Sequence, residues 1–198
     1  ERDYPEVARY LGFTMRRLVE GEFLQEEYAE RFDLDEEQYF QVVELKTAAL
    51  FAYSAWAGSY LPRQDSELSN QFARYAESLG IAFQIVDDVL DFESRQTGKD
   101  ALNDLEKGNI NYPLILLLRD RSDLRRQLRE EYKPGDELSD EMKESILEPL
   151  YESDILRKSR QEAKKYSNKA RAALESVPDT PQRDLLNDIP RFVTERLQ

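Results

Sequence analysis

The chain has 198 residues, with 28 Lys+Arg against 41 Asp+Glu for a net charge of −13, and it contains neither Cys nor His. The acid excess speaks against a nucleic-acid partner, which is held by a basic face. Without Cys there are no disulfides or thiolate metal sites, and without His there are no imidazole zinc sites, Ser-His triads or His general base. Hydrophobic residues make up 40% of the chain, enough for the core of one domain, and any metal chemistry must use carboxylates, which favours hard ions such as Mg²⁺.

The stretches between Gly and Pro read at helical period, with no strand-like alternation, so the expected fold is all-α, one helical domain over residues 1–198. Asp3 and Pro5 open a first helix to about Tyr28. Asp33 or Asp35 caps a second, which runs to Tyr60 and is stopped by Leu61-Pro62. Its uncharged run from Thr47 to Leu61 falls short of the roughly 20 residues a bilayer span needs, and its Ala, Ser and Gly suit close helix–helix approach; it reads as a buried central helix, not a transmembrane one. A third helix starts at Asp65 or Ser66 and ends near Phe92. Glu93 to Asn111 reads as an ordered loop with one turn of helix. Shorter helices follow at about 112–132, 139–151, 153–176 and 181–197, separated by Lys133-Pro134-Gly135-Asp136 and Pro178-Asp179-Thr180-Pro181.

The chemistry concentrates in the third helix. Gln84, Asp87, Asp88 and Asp91 fall on one helical face of a segment that is otherwise apolar. Such a helix should be buried, and unpaired carboxylates there would cost several kcal/mol each, so the stripe is expected to face bound cations or a water-filled cavity. Mg²⁺ suits carboxylates alone and bridges them to substrate phosphates, which makes a phosphate or diphosphate the expected ligand. Lys46, alone in the apolar second helix, and Lys99, after Gly98 in the loop, are the candidate cations for that anion.

Phe83-Gln84 followed by Asp87-Asp88-Val89-Leu90-Asp91 resembles the second aspartate-rich motif of the trans-prenyltransferases, the polyprenyl diphosphate synthases. Gly21-Glu22-Phe23-Leu24-Gln25 resembles the family's upstream Gly-Glu-x-x-Gln helix, and Lys46-Thr47 its Lys-Thr pair. Gly98-Lys99, Asp104-Leu105, Gly108-Asn109 and Pro113 resemble its loop after the second motif, with Asn109 where a basic residue is usual. Order and spacing agree over at least residues 12 to 118.

The resemblance implies a helical bundle of the isoprenoid synthase type and condensation of an allylic diphosphate with isopentenyl diphosphate. By the same resemblance Asp87, Asp88 and Asp91 would ligate Mg²⁺, and Lys46 and Lys99 would contact the allylic diphosphate. Thr47 and Gln84 would present oxygens to the allylic cation, Phe83 and Gln84 would border the isopentenyl site, and Asp104 would act one layer behind the metal. A homodimer in the cytoplasm or an organelle is implied too. Asp87-Asp88 is the only Asp-Asp pair and the chain begins without Met, so it is expected to be the C-terminal portion of an enzyme and inactive alone. The alternatives are a non-catalytic prenyl-diphosphate-binding or regulatory subunit, and a class I terpene cyclase.

Overall fold

The computed structural model describes residues 3–29, 31–93, 102–133 and 137–195, and among them every regular element is helical. Helix α1 (Pro5–Tyr28) begins with its proline in the first turn and Tyr4, not Asp3, at the cap position. Helix α2 (Glu36–Val43) opens on a capping box: the Asp35 side chain accepts from the Gln38 N–H at 2.8 Å, and the Gln38 side chain accepts from the Asp35 N–H at 3.1 Å.

The second predicted helix is not one straight α-helix. Glu44–Ala48 is a π turn, closed by the Ala49 N–H on the Glu44 carbonyl, and α3 (Ala49–Arg63) continues from it. Nor does Pro62 stop it. A proline in the last turn forfeits a single ladder bond, and the chain leaves at Gln64, whose φ of 54° is left-handed and whose N–H donates to the Tyr60 carbonyl at 2.7 Å. Helix α4 (Ser66–Glu93) follows as expected, and the single helical turn of the next loop is α5 (Asn103–Glu106).

The helix expected over 112–132 is two, α6 (Tyr112–Asp120) and α7 (Ser122–Glu131), broken at Arg121 (φ −120°, ψ 75°). Helix α6 is buried along most of its length, whereas α7 is polar except for Leu124 and Leu128, and the break lets those two reach the core. Helices α8 (Asp140–Glu152), α9 (Ile155–Ala173) and α10 (Pro181–Glu195) complete the bundle.

Helix α4 is the axis. It packs most extensively against α9 and α3 and also touches α6, α10 and the π turn. Ile85, Val86, Val89 and Phe92 are fully buried among Leu114, Leu118, Ile146, Leu150 and Ala163, each large aliphatic side chain contributing about 1.5–3 kcal/mol of burial. Trp56, Ala57 and Tyr60 of the apolar run are also buried, and no helix among the described residues is long and apolar enough to cross a membrane.

Two glycines make room for the π turn from opposite neighbours. A Cβ on Gly21 of α1 would lie 2.8 Å from both the Leu45 Cβ and the Lys46 backbone N, and one on Gly80 of α4 would lie 3.0 Å from the Ala48 Cα. Backbone cannot yield as a side-chain tip can. Gly21→Ala is therefore expected to push α1 off the π turn and lower stability by about 1–3 kcal/mol, despite the better helix propensity of Ala. Chemical denaturation would measure it, and an unchanged midpoint would mean that the two helices separate freely.

Candidate active site

Helices α1, α2 and α4, the π turn and the loop after α5 enclose a cavity of about 250 Å³. One wall is cationic. The Lys46 Nζ sits 2.9 Å from Gln25 Oε1 and 2.9 Å from Glu22 Oε2, both on α1. Gln25 Nε2 donates to Asn109 Oδ1 at 2.6 Å. Gly108, with φ 82°, turns the loop so that the Asn109 N–H reaches the Asp104 carbonyl at 2.9 Å. Lys46 is thus held over the cavity by the glutamate and glutamine of one α1 turn.

The acidic wall is α4, and its three carboxylates differ in burial. Asp88 is 3% exposed and faces protein donors, not open water. Its Oδ2 accepts from the Tyr39 hydroxyl at 2.7 Å and the Tyr112 backbone N–H at 2.9 Å, and its Oδ1 accepts from Gln84 Nε2 at 3.0 Å. These bonds offset the desolvation that would otherwise exclude a carboxylate from the core. Asp87, one residue earlier, is exposed. Asp91 is half-buried and accepts from the backbone N–H groups of Asn103 and Asp104 at the start of α5.

The electrostatics carry an excess of negative charge. Burial, with a smaller contribution from Asp104, pushes the Asp88 carboxyl up to about 6 against the pull of its hydrogen bonds. Burial and then Asp104 raise Asp91 to about 7. Among the described residues no three acids stand close enough to enclose an ion by themselves. The donor set nonetheless fits a hard cation that takes few protein ligands and fills its shell with water and phosphate oxygens.

Of the remaining predicted residues, Thr47 and Gln84 line the cavity and meet directly, the Thr47 hydroxyl donating to Gln84 Oε1 at 3.0 Å. Asp104 lines it too. Phe83 does not. It packs against Phe51, ring centroids 5.9 Å apart. Lys99 lies outside the described residues. Glu22 and Gln25 belong to a motif noted in the sequence, but their grip on Lys46 was not anticipated. Tyr39 and Tyr112 were missed, since nothing local marks a tyrosine whose partner is 49 or 24 residues away.

Comparison with known proteins places this geometry. A family model described as polyprenyl synthetase matches residues 1–150. A prenyl transferase of Synechocystis is 34% identical over 199 residues, covering 98% of this chain and 59% of that protein. The crystal structure of a decaprenyl diphosphate synthase from Rhodobacter capsulatus superposes with a TM-score of 0.87 at 27% identity, covering 98% of this chain and 61% of that one. A polyprenyl synthase from Caulobacter crescentus, crystallised with calcium and isoprenyl diphosphate, superposes with a TM-score of 0.84 at 26% identity, covering 96% and 59%. The chain therefore spans about three fifths of the length of these proteins.

Proposed function

Because the chain belongs to the polyprenyl synthetase family, we propose that the protein carrying it is a Mg²⁺-dependent prenyltransferase that joins an allylic diphosphate to isopentenyl diphosphate. One observation carries this reading: Lys46 lines the same cavity as the carboxylates Asp88 and Asp104, and Thr47 beside the lysine is joined through Gln84 to Asp88. That is an arrangement for an anion that arrives with its own cation. The Caulobacter protein, which holds calcium with isoprenyl diphosphate, supports it.

In this reading Asp87, exposed at the surface of α4, and Asp91 supply carboxylate oxygen to the metal, while Asp88 belongs to the same set as its buried anchor. Asp104 adds negative charge one layer behind. Bound Mg²⁺ would neutralise charge on the departing diphosphate. Lys46 holds the allylic diphosphate, joined by Lys99. The Thr47 hydroxyl and the Gln84 carbonyl present oxygen dipoles to the allylic carbon as it becomes positive. Val42, Val43 and Leu34 form the apolar part of the wall and exclude water that would otherwise capture the cation. The released diphosphate takes the proton lost after condensation, a route that calls on neither His nor Cys. Phe83, packed on Phe51, borders the isopentenyl site beside Gln84 in this reading.

A homodimer belongs to the same reading. Leu11, Met15, Val19 and Phe23 recur every fourth residue along α1 and are all exposed, whereas Thr14 and Gly21 of the same helix are buried against the bundle. A second copy of the protein covers that stripe, and Val19→Glu should shift the full-length protein towards monomer in analytical ultracentrifugation.

The direct test supplies farnesyl diphosphate, labelled isopentenyl diphosphate and Mg²⁺ to the full-length protein. Elongated product is expected from it, and none from residues 1–198 alone. Calorimetry should show diphosphate and Mg²⁺ binding together and each poorly by itself. Equal diphosphate affinity with and without the metal would sink the assignment.

A further inference from the structure

We propose that Tyr39 is a positioning residue, whose hydroxyl fixes the acidic turn of α4 against the element that carries Lys46 and Thr47 and thereby sets metal affinity. The inference rests on the function proposed above and concerns a residue that neither lies in the aspartate-rich motif nor touches substrate in that reading.

Four side chains from three elements form one chain of three hydrogen bonds. Tyr39 of α2 donates to Asp88 Oδ2 at 2.7 Å, and Thr47 of the π turn donates to Gln84 Oε1 at 3.0 Å. On α4, Gln84 Nε2 donates to Asp88 Oδ1 at 3.0 Å, which joins the two. The cationic and acidic walls of the cavity are thus pinned at two points.

The two pins differ in strength. Thr47 to Gln84 is a neutral pair beside the cavity, whereas Tyr39 to Asp88 is a hydroxyl on a buried carboxylate, the shorter and stronger kind. Tyr39 itself is 6% exposed and wedged against Phe40 and Tyr112, with ring centroids 5.2 and 5.1 Å away, so its hydroxyl is aimed by packing. Asp87 and Asp91 flank Asp88 within one turn of α4, and their approach to a metal depends on how that turn is held. Without the Tyr39 hydroxyl, Asp88 keeps the Tyr112 N–H on Oδ2 and the Gln84 amide on Oδ1, and the tie between α4 and α2 at this carboxylate is lost.

Tyr112→Phe is a built-in control. Its hydroxyl donates to Glu36 Oε2 at 2.7 Å, while the contact with Asp88 comes from its backbone N–H and survives the substitution. The experiment measures Mn²⁺ affinity by electron paramagnetic resonance, in the presence of inorganic diphosphate, for the full-length protein and its Tyr39→Phe and Tyr112→Phe variants. Tyr39→Phe is expected to weaken Mn²⁺ about 10-fold or more. Tyr112→Phe should stay within about twofold, because its contact with Asp88 is made by the backbone.

Unchanged affinity in Tyr39→Phe would overturn the proposal, as would equal losses in the two tyrosine variants. Loss of the folded state in Tyr39→Phe, read by circular dichroism, would also overturn it, since a positioning role requires the bundle to survive. If the unsubstituted protein itself bound no Mn²⁺ with diphosphate, the functional reading would fall first.

Discussion

Asp88→Asn should leave the bundle as stable as before and yet cost the full-length protein about 100-fold or more in the proposed turnover. The side-chain oxygen of Asn can still accept from the Tyr39 hydroxyl and the Tyr112 N–H, and the Gln84 amide can turn over to accept from the new NH₂ while donating to Thr47. What disappears is the charge. Asp88→Ala differs, because it leaves three donors in the core without an acceptor and should destabilise the fold by about 3 kcal/mol. Thermal melts beside steady-state assays would separate the two, and an active Asn variant would remove Asp88 from the working set. A pH signature accompanies this. Burial raises the Asp88 carboxyl from 3.8 to about 6, so the native state binds its proton more tightly than the unfolded chain does, and its contribution to stability is lost as pH rises through that window. In Mg²⁺-free buffer the drop in melting temperature from about pH 5 to pH 7.5 should therefore be smaller in Asp88→Asn.

Lys46→Ala is expected to weaken allylic diphosphate binding by about 10- to 100-fold, the worth of a charge-assisted hydrogen bond. Its effect on stability should stay below about 1 kcal/mol. The side chains of Lys46 and Glu22 are 35% and 57% exposed, and an ion pair that open to water contributes little to the fold. Glu22→Gln should act in the opposite sense, because it removes the carboxylate that competes with the diphosphate for the same ammonium. Isothermal titration with a non-hydrolysable allylic diphosphate would distinguish them. If Lys46→Ala unfolded the protein while Glu22→Gln weakened binding, the lysine would be a structural partner of α1.

The residues at work here differ in how plainly the sequence announces them. The face shared by Gln84, Asp87, Asp88 and Asp91 follows from helical period, because period fixes direction around an axis. It does not fix depth. Asp87 and Asp88 are neighbours of identical type, and only the tyrosines brought in from α2 and α6 determine that one is solvent-exposed and the other buried. The break at Arg121 was not legible either, since no Gly or Pro stands there; the chain turns because the core has a place for Leu124 and Leu128 that a straight helix would miss. Lys46 was legible as an anomaly, a charge in an apolar run, and as a candidate cation for a bound anion. Its protein partner, Glu22, lies on α1, which Gly21 allows to approach the π turn closely.

The π turn at Glu44–Ala48 has a consequence for how this helix can change. Tyr39 and Thr47 are eight positions apart, which on an α-helix sets them about 80° out of line. The wide turn absorbs one residue, so the pair behaves as if seven apart, about 20° out of line and two turns along one side. Both can then reach α4, one to Asp88 and the other to Gln84. Deleting a single residue from that stretch would give a regular helix in which Tyr39 and Thr47, now seven apart, keep the same alignment. Relaxing the wide turn to α with every residue kept would instead swing Tyr39 and everything before it by about 100° relative to Thr47, so the cavity depends on the extra residue staying in the wide turn and would tolerate a one-codon deletion there better than a loss of the turn itself.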